Sequence, residues 1–383
     1  MFAFSRLNKS RLANWWWTVD KVTLSLIFII VFIGAFLVFT ASPPVARTLI
    51  QKGHNVSEYH FINKQIFFIF FSMIGMVTLS MFRLKTIRRL AVLGYIGALI
   101  LTFTTIFWGF ETKGSSRWLT ICGFPLQPSE FLKPTFVIVS AWLLDGSKKF
   151  EEFPGARLSL ALFLMTVFPL ALQPDVGTSI VVTAIWCFQL FLSGLPLVGI
   201  CIIGVGLIIA AVIAYFSFGH VHTRVNDYIA SWGSVDNLPY QVEKSLKAFE
   251  NGNLLGKGPG EGVVKLSLPD AHTDFIFAVA GEEFGVWLCV FLVILFATIV
   301  IRSLWLSLKD NNLFRVYASA GLVASFGLQV IINMSTALYI FPTKGMALPF
   351  VSYGGSSMLA SSLCMGMLLA ITRKNSSAED KDI

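Results

Sequence analysis

Residues 22–40 read VTLSLIFIIVFIGAFLVFT, nineteen positions without a charge. At 1.5 Å rise per residue, about 20 apolar residues in an α-helix cross a hydrocarbon core of about 30 Å. Backbone groups find no water there, so a run of this kind spans as a helix. The pattern recurs along the chain. Ten apolar stretches fall at about 22–41, 65–82, 88–107, 130–145, 157–173, 176–193, 196–217, 275–304, 314–338 and 351–372. The fourth to sixth are short and interrupted by Pro134, Pro169, Pro174 and Gly177. The first is too long for the apolar core of a cleaved signal peptide, despite the small residues of TASPPVA (40–46) that follow. Composition agrees: 55% of residues are hydrophobic and 13% charged, against about 25% charged in soluble domains, and mean hydropathy is +0.74. The expected fold is an all-α polytopic integral membrane protein of about ten helices. It divides into an N-terminal segment 1–21, a membrane domain 22–372 and a C-terminal tail 373–383.

Seventeen of the 29 lysines and arginines lie in one alternating set of inter-segment pieces, from Arg6 and Lys9 through Arg83–Arg89, Lys148–Arg157 and Arg302–Arg315 to Lys381. The positive-inside rule then places both termini in the cytoplasm. The net charge of +8 is scattered through these loops, which gives no footprint for nucleic acid. WWWTVDK (15–21) reads as an aromatic anchor at the inner interface. The five cysteines (122, 187, 201, 289, 364) have no metal or disulfide spacing and read as small core residues.

On the outer side this topology leaves 42–64, 108–129, a turn at 173–176, a long loop 218–274, and 339–350. All five histidines fall there, and the pair in HVH (220–222) lacks a third ligand for metal. In the long loop, PYQVEKSLKAFENGN carries Val242, Leu246 and Phe249 at helical spacing, with Glu243 and Lys247 at i,i+4. It reads as an amphipathic helix, lying on the leaflet or packed on the bundle. GKGPGEG (256–262) lacks the spacing of a nucleotide loop and reads as a flexible hinge able to touch phosphate.

Polar clusters sit at the outer ends of several spans. SSRWL (115–119) precedes the fourth. QPSEFLK (127–133) opens it, with Glu130 and Lys133 on one helix face. QPDVG (173–177) sets Asp175 between two spans. PTKGMALPFVSYGGSS (342–357) brings Lys344, Ser352 and Tyr353 to the mouth of the last. Each has a structural reading, as ion pair, cap or close packing. Ionisable residues in spans are nonetheless functional candidates by default. A cavity holding Arg, Lys, Asp and Glu would suit a lipid-linked pyrophosphate with a polar headgroup: cations for the phosphates, a carboxylate for proton abstraction. The stretch LPDAHTDFIFAVAGEEFG (268–285) fits the same picture. Asp270, His272 and Asp274 lie at the outer boundary. Glu282 is about 12 Å deeper along a helix and turned by about 80°, and Glu283 by about 180°. Asp274 is therefore assigned to the surface site, and Glu282 and Glu283 to interior contacts with other helices.

LPDAHTDFIFAVAGEEFG, PTKGMALPFVSYGGSS, QPSEFLKP and SSRWL resemble the SEDS proteins (shape, elongation, division and sporulation). TASPPVA, LQPDVGTSIVV and YQVEKSLKAFENGNLLGKGPGEG resemble the cell-division branch more than the elongation branch. The resemblance covers about residues 20–373 in matching order. It implies ten spans, a large extracytoplasmic fourth loop, and peptidoglycan glycosyltransferase activity on lipid II, an undecaprenyl-pyrophosphate disaccharide-pentapeptide, at a bacterial inner membrane and its division septum. The family's presumed catalytic aspartate falls on Asp274. Its substrate-binding positions fall on Arg117, Trp118, Glu130, Lys133 and Asp175, and the adjoining motif residues His272, Lys344, Ser352 and Tyr353 are candidates beside them. Asp270 stands where many members have Glu. The resemblance further implies assistance by a divalent cation (Mg or Mn) and a class B penicillin-binding protein transpeptidase among the division partners. A lipid II flippase or a non-catalytic division scaffold would use the same features differently, although no inverted repeats are evident.

Overall fold

A computed structural model describes residues 10–53, 57–112, 115–121, 123–196, individual positions between 198 and 226, 238–342 and 345–373. A short helix α1 (Arg11–Thr18) begins at Ser10, whose hydroxyl accepts Ala13 N–H. Trp15 docks it, donating from Nε1 to Ser80 Oγ at 2.8 Å, while Lys21 lies over the rings of Trp16 and Trp17. The long helices follow: α2 (Lys21–Gln51), α3 (His60–Ser80), α4 (Leu84–Trp108), α5 (Pro128–Lys149), α6 (Gly155–Leu172) and α7 (Val176–Leu192). After them come α8 (Tyr240–Gly252), α9 (Ile276–Leu308), α10 (Leu313–Ala337) and α11 (Gly355–Ile371). Among the described residues, α2, α3, α4, α6, α9 and α10 are long and apolar enough to cross a membrane, and α7 and α11 are shorter apolar helices. α5 has the length but carries charges at both ends, which suit its dipole: Glu130 in the first turn, Lys148 and Lys149 in the last. The seventh expected span lies on partly described residues. From Val198 on, its described positions are helical and remain so as far as Asn226, past the expected end at 217.

α5 and α10 run through the middle. α10 is the most buried span, and α5 packs against α4, α6, α7, α10 and α11. One end of the bundle gathers the basic loops. There Arg302 grips Asp20 through Nε and Nη2 at 2.8 and 2.7 Å, and Arg373 reaches the carbonyl of Met81. The first turns of α5, α7 and α11 open at the other end.

Three features differ from the sequence-based expectation, and the packing of α8 settles a choice it left open. First, residues 110–126 form a small antiparallel sheet, β1 (Phe110–Thr112), β2 (Ser115–Ile121) and β3 (Phe124–Leu126), where an all-α reading has only a loop. Second, α2 does not stop near residue 41; it continues through Pro43 and Pro44 to Gln51. The missing proline N–H groups strip the carbonyls of Phe39 and Thr40 of their helical donors. α8 packs on the bundle. Val242, Ser245, Ala248 and Gly252 face inward against α9, and Ser245 Oγ donates to the carbonyl of Ala337 at 2.7 Å. Third, α9 is two helices joined at Gly285, whose φ of 73° and ψ of −171° are accessible almost only to glycine. The break frees the carbonyls of Glu282 and Glu283. The glycine-rich segment expected to be a flexible hinge fills them: Lys257 N–H donates to Glu282 O at 3.0 Å and Gly258 N–H to Glu283 O at 2.9 Å.

Candidate active site

A cavity of about 500 Å³ opens at the end of the bundle away from the basic loops. It is lined by Arg117 and Trp118 from β2, Gln127 and Glu130 at the start of α5, and Asp175 at the start of α7. Asp270, Thr273 and Asp274 line it from the segment before α9, and Tyr353, Ser356 and Ser357 from the start of α11. Elements far apart in sequence thus bring together Asp274, Arg117, Trp118, Glu130, Asp175 and Tyr353, six of the residues singled out from sequence.

Asp274 is held through its backbone. The carbonyls of three successive residues each accept a bond from the segment that joins α10 to α11 or from α10 itself. Tyr353 N–H donates to His272 O at 2.9 Å, Ser352 Oγ to Thr273 O at 2.5 Å, and Asn333 Nδ2 to Asp274 O at 2.9 Å. Asn333 also donates to Met346 O at 2.7 Å, which seats residues 345–347 beside the carboxylate. A Cβ at position 345 would lie 3.0 Å from Asp274 Oδ2, so Gly345 lets the backbone approach that oxygen. Asp274 is the last residue but one before α9, which begins at Ile276 and not at the aspartate itself.

Asp175 caps α7 by accepting Thr178 N–H at 3.2 Å and faces Arg117 Nη1 at 3.4 Å. Arg117 Nη2 donates to Pro174 O at 2.8 Å, tying the sheet to the α6–α7 junction. Glu130 receives both of its close bonds from Lys133 Nζ, at 2.9 Å each, and one from Gln329 Nε2 at 3.3 Å.

Three predicted contacts are displaced. Lys133 is 2% exposed and engaged with Glu130, so it supports the cavity wall and does not present an ammonium to the space. His272 is 7% exposed, its ring 4.8 Å from that of Phe61 and 5.3 Å from that of Tyr353. Burial pushes its pKa down to about 4, Asp270 opposing weakly, so the ring is neutral. Ser352, also buried, spends its hydroxyl on the backbone: it donates to Thr273 and accepts Leu348 N–H at 2.8 Å. Lys344, like His220 of HVH, lies outside the described residues. Conversely Gln127, Gln241, Thr336, Ser356 and Ser357 line the cavity without having been singled out. The hydroxyls of SSM in α11 were visible in YGGSS but read as packing residues.

Glu282 and Glu283 sit away from the cavity, and Glu282 meets another helix, α8, through Asn251, as expected, but most partners of the two acids lie in the segment 263–265. Glu282 accepts from Asn251 Nδ2 and the N–H groups of Val263, Val264 and Lys265, at 2.8, 2.8, 2.7 and 2.9 Å. Glu283 pairs with Lys265. Both acids hold the segment that leads into α9.

Among the described lining residues Arg117 is the one cation, against the carboxylates of Glu130, Asp175, Asp270 and Asp274. Glu130 is paired with Lys133 and Asp175 with Arg117. The described residues contain no cluster of three His, Cys, Asp or Glu side chains fit to enclose a metal by themselves. A magnesium-type ion needs only one or two carboxylates when substrate phosphates complete its shell, and Asp270 and Asp274 match that donor set.

Helical bundle and polar chamber at one end define a multi-pass membrane protein with a built carboxylate site. The sequence profile of the family described as Cell cycle protein, which groups FtsW, RodA and SpoVE, matches residues 20–377. The chain belongs to this family, the SEDS proteins. It is 39% identical over 377 residues to a probable peptidoglycan glycosyltransferase FtsW of Caulobacter vibrioides, covering 98% of this chain and 95% of the relative. A protein of the same description from Trichlorobacter lovleyi is 31% identical over 360 residues, covering 92% and 93%. Among solved structures, the fold is similar to a chain of a peptidoglycan synthase complex that coordinates polymerization and crosslinking (TM-score 0.74, 23% identity, 92% of this chain and 97% of that one). It is also similar to the rod shape determining protein RodA of Thermus thermophilus (TM-score 0.68, 24% identity, 93% and 97%).

Proposed function

We propose that this chain is a peptidoglycan glycosyltransferase that polymerises lipid II into glycan strands during septal wall synthesis. The observation that carries the chemistry is the placement of Asp274: its carboxylate borders the cavity, and its backbone is fixed by three donors on consecutive carbonyls. Asp274 takes the proton from the acceptor sugar's 4-hydroxyl, whose oxygen attacks the anomeric carbon of the donor. The bond to undecaprenyl pyrophosphate breaks, and the α-linkage becomes β. Inversion needs one base and no covalent intermediate. The departing pyrophosphate is already a stabilised anion, so it calls for positive charge more than for an acid. Arg117 supplies it within the cavity, and Lys344 is a second candidate from the sequence. Glu130 and Asp175, already paired, shape the wall. A bound Mg or Mn ion on Asp270 and Asp274 would add charge against the pyrophosphate.

Both termini lie in the cytoplasm in this reading, with the cavity outside and ten spans between. The partner in this reading is a class B penicillin-binding protein transpeptidase, which crosslinks the new strands. The likeness to a chain from a synthase complex supports such a partner. The test is polymerisation by the purified full chain in detergent, where a flippase or a scaffold makes no glycan. Glycan strands from lipid II support the proposal; none, with or without the transpeptidase, overturns it.

A further inference from the structure

The acids deepest in the opening motif, Glu282 and Glu283, are not in the cavity, yet they grip the chain that leads to Asp274. We propose that Glu282 and the Lys265–Glu283 pair are positioning residues that set Asp274 for catalysis, by closing the segment 266–275 onto the helix that follows it. This inference rests on the reading of Asp274 as the base.

Glu282 is fully buried and its two oxygens accept four bonds, three of them from consecutive backbone N–H groups at 263–265. Oε1 takes three of the four, from Asn251 Nδ2 and the N–H groups of Val263 and Val264, and Oε2 takes the fourth, from Lys265 N–H. No neutral side chain of that shape can reproduce the set, because an amide would turn its NH₂ toward N–H donors. Lys265 adds a second fastening. Its Nζ meets Glu283 and donates to the carbonyl of Thr40 at 3.1 Å. That carbonyl is available because position 44 is a proline and gives no helical N–H. The ammonium therefore joins α2, α9 and the loop at one buried point, and TASPPVA acquires a structural purpose.

The geometry then forms a short closed loop. Its first end, Lys265, is bound to Glu282 and Glu283; its last runs into Ile276, nearly two turns earlier in the same α9. Asp270, His272 and Asp274 lie between. A loop closed over about ten residues has few conformations left, and the donors from Asn333, Ser352 and Tyr353 select among them. Releasing the first end frees the loop to slide relative to those donors. Misplacing a reacting group by about 1 Å costs on the order of 100-fold in rate, while the cavity walls from β2, α5 and α7 that receive the substrate stay in place.

The experiment uses the full chain with lipid II and compares wild type, Glu282→Gln and Asp274→Asn, reading kcat and KM together with backbone amide exchange across 263–275. For Glu282→Gln the expected result is faster exchange at 263–265 and at 270–274, with kcat lower by about 10- to 100-fold and KM within about threefold. A loss of stability alone would lower the active fraction without quickening exchange at 270–274 in the folded remainder. Unchanged exchange at 270–274, or a loss that falls on KM with kcat retained, overturns the proposal. Asn251→Ala removes one of the four donors and keeps the carboxylate; it is the variant to use if Glu282→Gln does not accumulate, with the same split at about threefold expected and an unchanged kcat counting against the clamp. Asp274→Asn reports separately on the parent reading: activity retained there sinks the base assignment, while the exchange data still decide the clamp.

Discussion

Lys265→Met removes the ammonium at the junction of α2, α9 and the loop before α9 while keeping most of the aliphatic stem. The side chains of Lys265 and Glu283 are 2% and 0% exposed, so the pair is shielded from water on every side. Removing one partner of a buried pair costs about 3–5 kcal/mol, mostly because the remaining charge stays buried without its counter-ion. The carbonyl of Thr40 also loses its donor, and Pro44 cannot replace it, which adds about 1 kcal/mol or more. A loss of about 4 kcal/mol is expected, readable as an early midpoint when the full chain is titrated from mild detergent into denaturing detergent. Lys265→Met with Glu283→Met takes both charges out together, and apolar replacement of a buried pair is often neutral. The double variant should recover most of the loss. A single variant that loses less than about 1 kcal/mol, or a double variant no better than the single, would refute the reasoning.

Two further outcomes follow from the same region. Gly285→Ala is expected to lose about 3 kcal/mol or more, since its backbone conformation is nearly closed to other residues and a Cβ would fall 2.2 Å from Leu254 O; Gly97→Ala, whose Cβ meets nothing within 4 Å, should be neutral or better in the same titration. His272 has its folded pKa lowered to about 4 from 6.5, so a detached loop binds the proton first. The docking of 268–274 is then unaffected by pH above 6.5 and weakens as pH falls from 6.5 toward 4, by up to about 3 kcal/mol; exchange of the Thr273 and Asp274 amides should quicken over that window, and His272→Phe should abolish the dependence.

Much of this architecture could be read from residue patterns because membrane spans announce themselves locally. Unbroken apolar runs, Pro128 at a helix start and Asp175 before VGTS each dictate a nearby structure. The division of 268–285 into a boundary Asp274 and deeper Glu282 and Glu283 came from span placement together with helix geometry, although α9 starts two residues after Asp274. What escaped depended on distant partners. Lys265 reads as one more loop cation until Thr40, 225 residues away, and Glu283 close around it. Lys133 and His272 carry the chemistry expected of ligand contacts, yet Glu130 holds the first and the rings of Phe61 and Tyr353 enclose the second. The sheet at 110–126 is three short strands whose pairing is not a local property, and Gly285 looks like any glycine in an apolar helix until the loop at 253–258 lies against it.

The central claim is that Asp274 is the base of a glycan-forming site. Its most direct test is polymerisation of lipid II by purified wild type and Asp274→Asn, the substitution that keeps the shape and removes the base. Loss of a general base lowers rates by about 100- to 10,000-fold, so the account predicts strands from the wild type and almost none from the Asn variant, with lipid II still bound. An Asn variant that polymerises at the wild-type rate would contradict it.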